Sequence, residues 1–197
     1  MRSITLLIVS AVFCLAGCSK APQEKAIVIV NAAAVDAPLL ERVRAFAQRE
    51  LHVPVRTIEN PKLTRKKDFQ TAEKAAKRLK ADADVILIVL EGFNNEPRHL
   101  AVYAGSEIAL INTQPLYTAD AEKFARRIER QIMRAAAFSV GLSPTPDPFC
   151  VTRDYNTLED LDSMGRNFSP PWQKRFADEA AKRGLISTEA ENSLLAQ

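Results

Sequence analysis

Few residues in this chain carry reactive chemistry, and their types and spacing limit what they can do together. There are two histidines, His52 and His99, and three cysteines, Cys14, Cys18 and Cys150. Two histidines cannot furnish a three-histidine zinc site. A site drawn from Asp147, Cys150, Asp154 and one distant histidine lacks the paired ligand spacing that structural zinc sites show. Cys150 lies between Phe149 and Val151, the setting of an inert buried thiol. A nucleophilic thiolate needs an adjacent base or cation, and Arg153 is near in sequence while no histidine is. Glu159, Asp160 and Asp162 could pair as an acid and a base, but they stand beside a helix start, where negative charge is stabilised anyway. An enzyme of non-metal chemistry would have to work through Cys150 or these carboxylates.

Cys18 is a different case. Arg2 is the only charge before Lys20, and Ile4 to Gly17 is almost wholly apolar. That run is shorter than the roughly 20 residues that span a bilayer, and it fits the apolar region of a secretory signal. It closes on Leu15-Ala16-Gly17-Cys18, which resembles the lipobox of bacterial lipoproteins. The resemblance implies cleavage before Cys18, lipid on its thiol and acylation of the new amino group. Two or three chains anchor firmly, since each buried CH₂ contributes about 0.8 kcal/mol. Residues 1–17 are then a signal peptide, and 18–25 a lipidated polar tether. The partner is a membrane of the bacterial envelope, and Ser19 after the cysteine is similar to lipoproteins sent to the periplasmic face of the outer membrane. With the signal gone, 180 residues remain, with 26 basic and 24 acidic side chains. That balance gives no case for nucleic acid. Cys150 becomes the sole unmodified thiol, so no internal disulfide forms and the domain depends on its core.

The elements that position these residues follow from periodicity and caps. Ala26 to Val30, Val53 to Ile58 and Asp84 to Leu90 read as strands, the last apolar on both faces and therefore central. His99 to Tyr103 and Glu107 to Asn112 are two more, around a turn at Ala104-Gly105-Ser106. Asp36 opens a helix with Pro38 in its first turn, and Asp68 to Lys80 is a second, very polar helix. Lys62 to Lys80 holds eight basic and two acidic residues, read as a solvated face. Asp120 caps the longest helix, which runs to about Val140 and stops at Gly141. Pro144, Pro146 and Pro148 impose an irregular loop. Short helices follow at Leu158 to Met164, from Pro170-Pro171 to about Arg183, and from Ser187. Strands alternating with helices, then a mostly helical end, give an α/β fold. Residues 26–197 form a single domain, with the sheet in 26–118 and the long helix and C-terminal subdomain in 119–197.

This order resembles the archaemetzincins, a family of metzincin zinc peptidases marked by H-E-x-x-H-x-x-G-x-x-H-C on the long helix and then C-x-M. Setting Gly141 on the family glycine places Arg134, Ala135 and Phe138 where the first His, the Glu and the second His stand. Pro144 and Thr145 fall on the third His and its Cys, and Cys150 on the next cysteine. The resemblance covers about residues 26–176 and implies a mixed, mostly parallel sheet with helices and a small helical C-terminal subdomain. The departures imply the rest. Arginine repels zinc, alanine supplies no base, and Phe138 and Pro144 donate nothing. The expectation is therefore a protein that is not an enzyme, with no cofactor and no metal, that binds a peptide or protein in the remnant cleft, since peptide can add to an exposed strand. The alternatives are an enzyme of other chemistry and a purely structural envelope lipoprotein. Phe138 should be buried against the proline loop, and Arg134 should turn to solvent or pair with Asp147 or Asp154.

Overall fold

The strands are built from β-branched and leucine-rich runs, and the degree of their burial sets their order. The computed structural model describes residues 23–60, Leu63 and 68–186. The lipobox with Cys18 and Ser19, most of the basic loop before Asp68, and the helix expected from Ser187 lie outside the described residues. β1 (Ala26–Asn31) is buried along its whole length. α1 (Ala37–Leu51) follows it and leads to β2 (Val55–Glu59), and α2 (Phe69–Lys77) leads on to β3 (Asp84–Glu91), which is also fully buried. β4 (Leu100–Tyr103) and the buried β5 (Ile108–Asn112) complete a five-stranded sheet of order β2-β1-β3-β5-β4. β1 pairs in parallel with β2 and β3, and β3 with β5, while β4 runs antiparallel to β5. The half-buried strands β2 and β4 are the two edges.

Side chains alternate across the sheet. Ile27, Ile29, Ile86, Ile88, Ala109 and Ile111 face a core closed by α1 and the long helix α3 (Ala121–Ser139). Val28, Val30, Leu87, Val89, Ile108 and Leu110 face a smaller core under α2 with Phe69 and Phe93. The helix starts are fixed by capping carboxylates: Asp36 accepts from the Leu39 N–H, Asp68 from Thr71 and Asp120 from Lys123. Each such cap contributes about 1 kcal/mol. Gly141, at φ +91°, ends α3 in a conformation that a side chain would strain. Beyond it come α4 (Leu158–Ser163), opened by a Thr157–Asp160 capping box, and α5 (Pro170–Lys182). α5 returns Phe176 and Ala180 to the first core. Among the described residues no helix is long and apolar enough to cross a membrane.

Candidate functional site

The long helix α3 buries more charge than a core helix ordinarily tolerates, and the partners explain why. Arg127, Glu129, Arg130, Gln131 and Arg134 are all buried. Arg127 forms a two-pronged pair with Asp162, Nε to Oδ1 at 2.8 Å and Nη2 to Oδ2 at 2.6 Å, and gives Nη1 to the Leu116 carbonyl. Arg130 donates to the Met164 and Asp162 carbonyls. Arg134 donates Nη1 to the carbonyls of Val151 and Arg153. Glu129 sits between Arg42 of α1 and Arg166, each at 2.9 Å. Three arginines at helical spacing thus hold the segment 150–164, which includes α4, against α3 by bonds that are charge-assisted and stronger than neutral ones.

That segment brings Tyr155 against Gln131 and Arg134 of α3, where it meets His99, the residue before the edge strand β4. The Tyr155 hydroxyl lies 2.8 Å from His99 Nδ1 and accepts from Gln131 Nε2 at 2.7 Å. The rings of His99 and Tyr155 stack at 5.7 Å, and the Arg134 guanidinium lies 4.9 Å over the Tyr155 ring and 5.1 Å from Phe138. Burial, and then the positive charges of Arg127 and Arg134, hold His99 below the ordinary imidazole value, so the ring is neutral at pH 7. Burial raises the Tyr155 phenol, although Arg134 and the Gln131 bond pull it back in part. In one tautomer of the pair the phenol donates its proton to His99 Nδ1. His99 Nε2 then carries its proton and can donate to a carbonyl or carboxylate oxygen. In that tautomer the arrangement can bind an acceptor atom at His99 Nε2.

A cavity of about 1050 Å³ lies elsewhere, beyond the C-terminal ends of β1, β3 and β5. Its charged groups are already engaged: Arg42 pairs with Glu122 and Glu129, and Asp36 caps α1.

The residues aligned on the zinc motif go to separate places. Arg134 is buried and bonded to backbone carbonyls, not turned to solvent nor paired with Asp147 or Asp154, because the carbonyls of Val151 and Arg153 reach it first. Ala135 is fully buried in the first core, while Phe138 is half-buried under Arg134 rather than enclosed by the proline loop. Gly141 and Pro144 are exposed. Cys150 is 0% exposed, its sulfur accepting from the Ser169 N–H at 3.3 Å and touching the Thr152 hydroxyl at 3.1 Å. The side chains at the aligned positions do not fit a zinc ion: a guanidinium, a methyl group and a phenyl ring stand where donors would be needed. Among the described residues no group of three or more His, Cys, Asp or Glu is arranged to hold a metal ion. Glu159 is exposed, Asp160 closes the α4 capping box and Asp162 pairs with Arg127, so these carboxylates are placed structurally.

No family model matches the chain, and no curated protein does. Solved structures do. The chain is similar to archaemetzincin from Methanopyrus kandleri, with TM-score 0.65 and 13% identity over 80% of this chain and 96% of that one. It is similar to archaemetzincin from Archaeoglobus fulgidus, solved with malonate, at TM-score 0.57 and 14% identity, covering 78% and 99%. A zinc-dependent peptidase from Methanocorpusculum labreanum matches at TM-score 0.59 and 15% identity, covering 76% and 99%. The fold is that of the archaemetzincins. These neighbours correct one expectation: a protein that is not an enzyme was inferred from the altered motif, whereas the archaemetzincin fold carries zinc-dependent peptidases. Losing donors at three aligned positions does not speak to the rest of the cleft. There, sequence reasoning noted His99 only as one of two histidines and missed Tyr155 and Gln131. The one available signal was Gln131 standing a helical turn before Arg134 on the same face of α3.

Proposed function

We propose that the protein is a lipid-anchored, peptide-directed domain of the archaemetzincin fold, in which an extended polypeptide adds as a strand to β4 and lies against His99 and Tyr155. The observation that carries this reading is the position of His99. It precedes the first residue of an edge strand, which has no further strand beside it among the described residues, and is bonded across to Tyr155 on the wall that α3 supports. Main-chain bonds to such an edge give affinity without a deep pocket. The peptidase neighbours support polypeptide as the ligand class. His99 is the donor that would bond an oxygen of the bound chain, while Cys150 is sealed from substrate by its burial. The Leu15-Ala16-Gly17-Cys18 pattern supports the anchor on Cys18, and Ser19 supports the outer-membrane address. A mixed peptide library, offered to the detergent-solubilised protein, tests the reading by retention of peptides and by mass spectrometry of products. Retention weakened several-fold by His99→Gln, with any cleavage lost, is the expected result. Failure to retain or cleave any peptide would sink it.

A further inference from the structure

Arg134 differs from the arginines before it on α3 in what answers its charge. Arg127 faces the Asp162 carboxylate, and Arg130 uses both Nε and Nη2 on carbonyl oxygens beside that same pair. Arg134 is 7% exposed, and among the described residues no carboxylate lies within ion-pair distance of it. Both of its hydrogen bonds leave from Nη1, and its Nε is buried with no acceptor. Burial opposes its charge, and Tyr155, then Asp154 and Cys150, offset this only in part. The Tyr155 and Phe138 rings face this guanidinium at 4.9 and 5.1 Å, but a buried guanidinium without an acid remains costly, and its fork geometry suits a carboxylate.

We infer that the cleft holds the C-terminal carboxylate of the bound polypeptide, with Arg134 as its cationic partner and His99 Nε2–H as a second donor. This rests on the strand-addition reading and specifies its direction. β4 runs from Leu100 to Tyr103, away from His99. A chain added antiparallel to β4 ends beside Leu100, which puts its last residue next to His99, whose Tyr155 neighbour also carries the Arg134 guanidinium. A chain added in parallel would place its amino terminus there, against two arginines, Arg127 and Arg134, whose field already disfavours a proton on His99. Charge therefore selects the antiparallel chain. One guanidinium matches the single charge of a carboxylate.

The test compares pairs of peptides identical except for a free-acid or amidated C-terminus, bound to the detergent-solubilised protein and followed by fluorescence anisotropy. The free acid should bind at least tenfold more tightly. The preference should vanish in Arg134→Met, with the fold checked by circular dichroism. Because the chain has two histidines, His52 and His99, imidazole NMR adds a second readout. Saturation with the free-acid peptide should raise the His99 pKa, since the carboxylate offsets the arginine field, and leave His52 unmoved. Equal affinity for acid and amide would overturn the carboxylate inference while leaving strand addition standing. Binding of neither form would overturn both. Should Arg134→Met fail to fold, the acid and amide comparison in the unaltered protein decides alone.

Discussion

His99 makes the stability of the domain depend on pH in a defined direction. Its folded value lies below the ordinary 6.5 because of burial and the charges of Arg127 and Arg134. Between those two values the unfolded chain binds more protons than the native one, so stability falls as the pH drops through about 6.5 toward the folded value. Above that window the residue contributes no slope. Urea denaturation at pH 7.5 and 5.5 should show a loss on acidification that His99→Gln reduces, and an unchanged loss would contradict the placement. Phe138 is the second residue to test. A fully buried phenylalanine loses about 3–5 kcal/mol on truncation. Half-buried and stacked on Arg134, Phe138→Ala should cost less, about 1–3 kcal/mol by the same measurement. Neither value was legible in the sequence. Periodicity puts Arg134 and Phe138 on α3, but what they touch is a loop whose path depends on proline geometry and on carbonyls that carry no side-chain signature.

At the scale of elements, the C-terminal segment is held to α3 by polar bonds as much as by its core. Arg127 is buried and Asp162 about one-fifth exposed. Asp162→Asn leaves the guanidinium short of its counter-charge, for an expected loss of about 2–3 kcal/mol, discounted from the fully buried case for the exposed carboxylate. A change under about 0.5 kcal/mol in denaturant titration would show the pair to be surface-like. Asp162 is held below its usual range by Arg127 and Lys123 against the opposing effect of burial, so its contribution is present above the ordinary carboxylate value and lost as the pH falls through the lowered one. Gly165 tests the close crossing of two loops. A Cβ there would lie 1.8 Å from the Phe149 carbonyl oxygen, so Gly165→Ala must push the backbone apart. The expected loss is about 3 kcal/mol or more, with Gly105→Ala, which meets nothing within 4 Å, as the mild control. Element boundaries were far more legible than these contacts. Asp36, Asp68 and Asp120 each cap a helix where their types place it, because capping is a local bond. The His99–Tyr155 contact joins residues 56 apart, and nothing local records it.

For the whole molecule, the alternation of strands and helices and the unbroken apolar runs of β1 and β3 were enough to read an α/β sheet with its centre in place. The edge identity of β4 followed from its shortness and half-apolar pattern only once the sheet order was known. The anchor is tested at this scale. Cys18→Ala should accumulate as an unprocessed precursor without lipid label, and normal processing with label retained would overturn the lipobox reading. Fractionation solely to the inner membrane would refute the address suggested by Ser19. The sheet order also bears on force. β1 begins at Ala26, just after the expected tether, and is hydrogen-bonded on both sides, to β2 through five residue pairs and to β3 through six. Tension applied at the N-terminus therefore loads two ladders lengthwise at once, so their bonds must yield together in shear instead of opening one after another as in a peeled edge strand. In an optical trap, the domain pulled between its N-terminus and Gly184 should rupture at a higher force than when pulled across the edge strand β4.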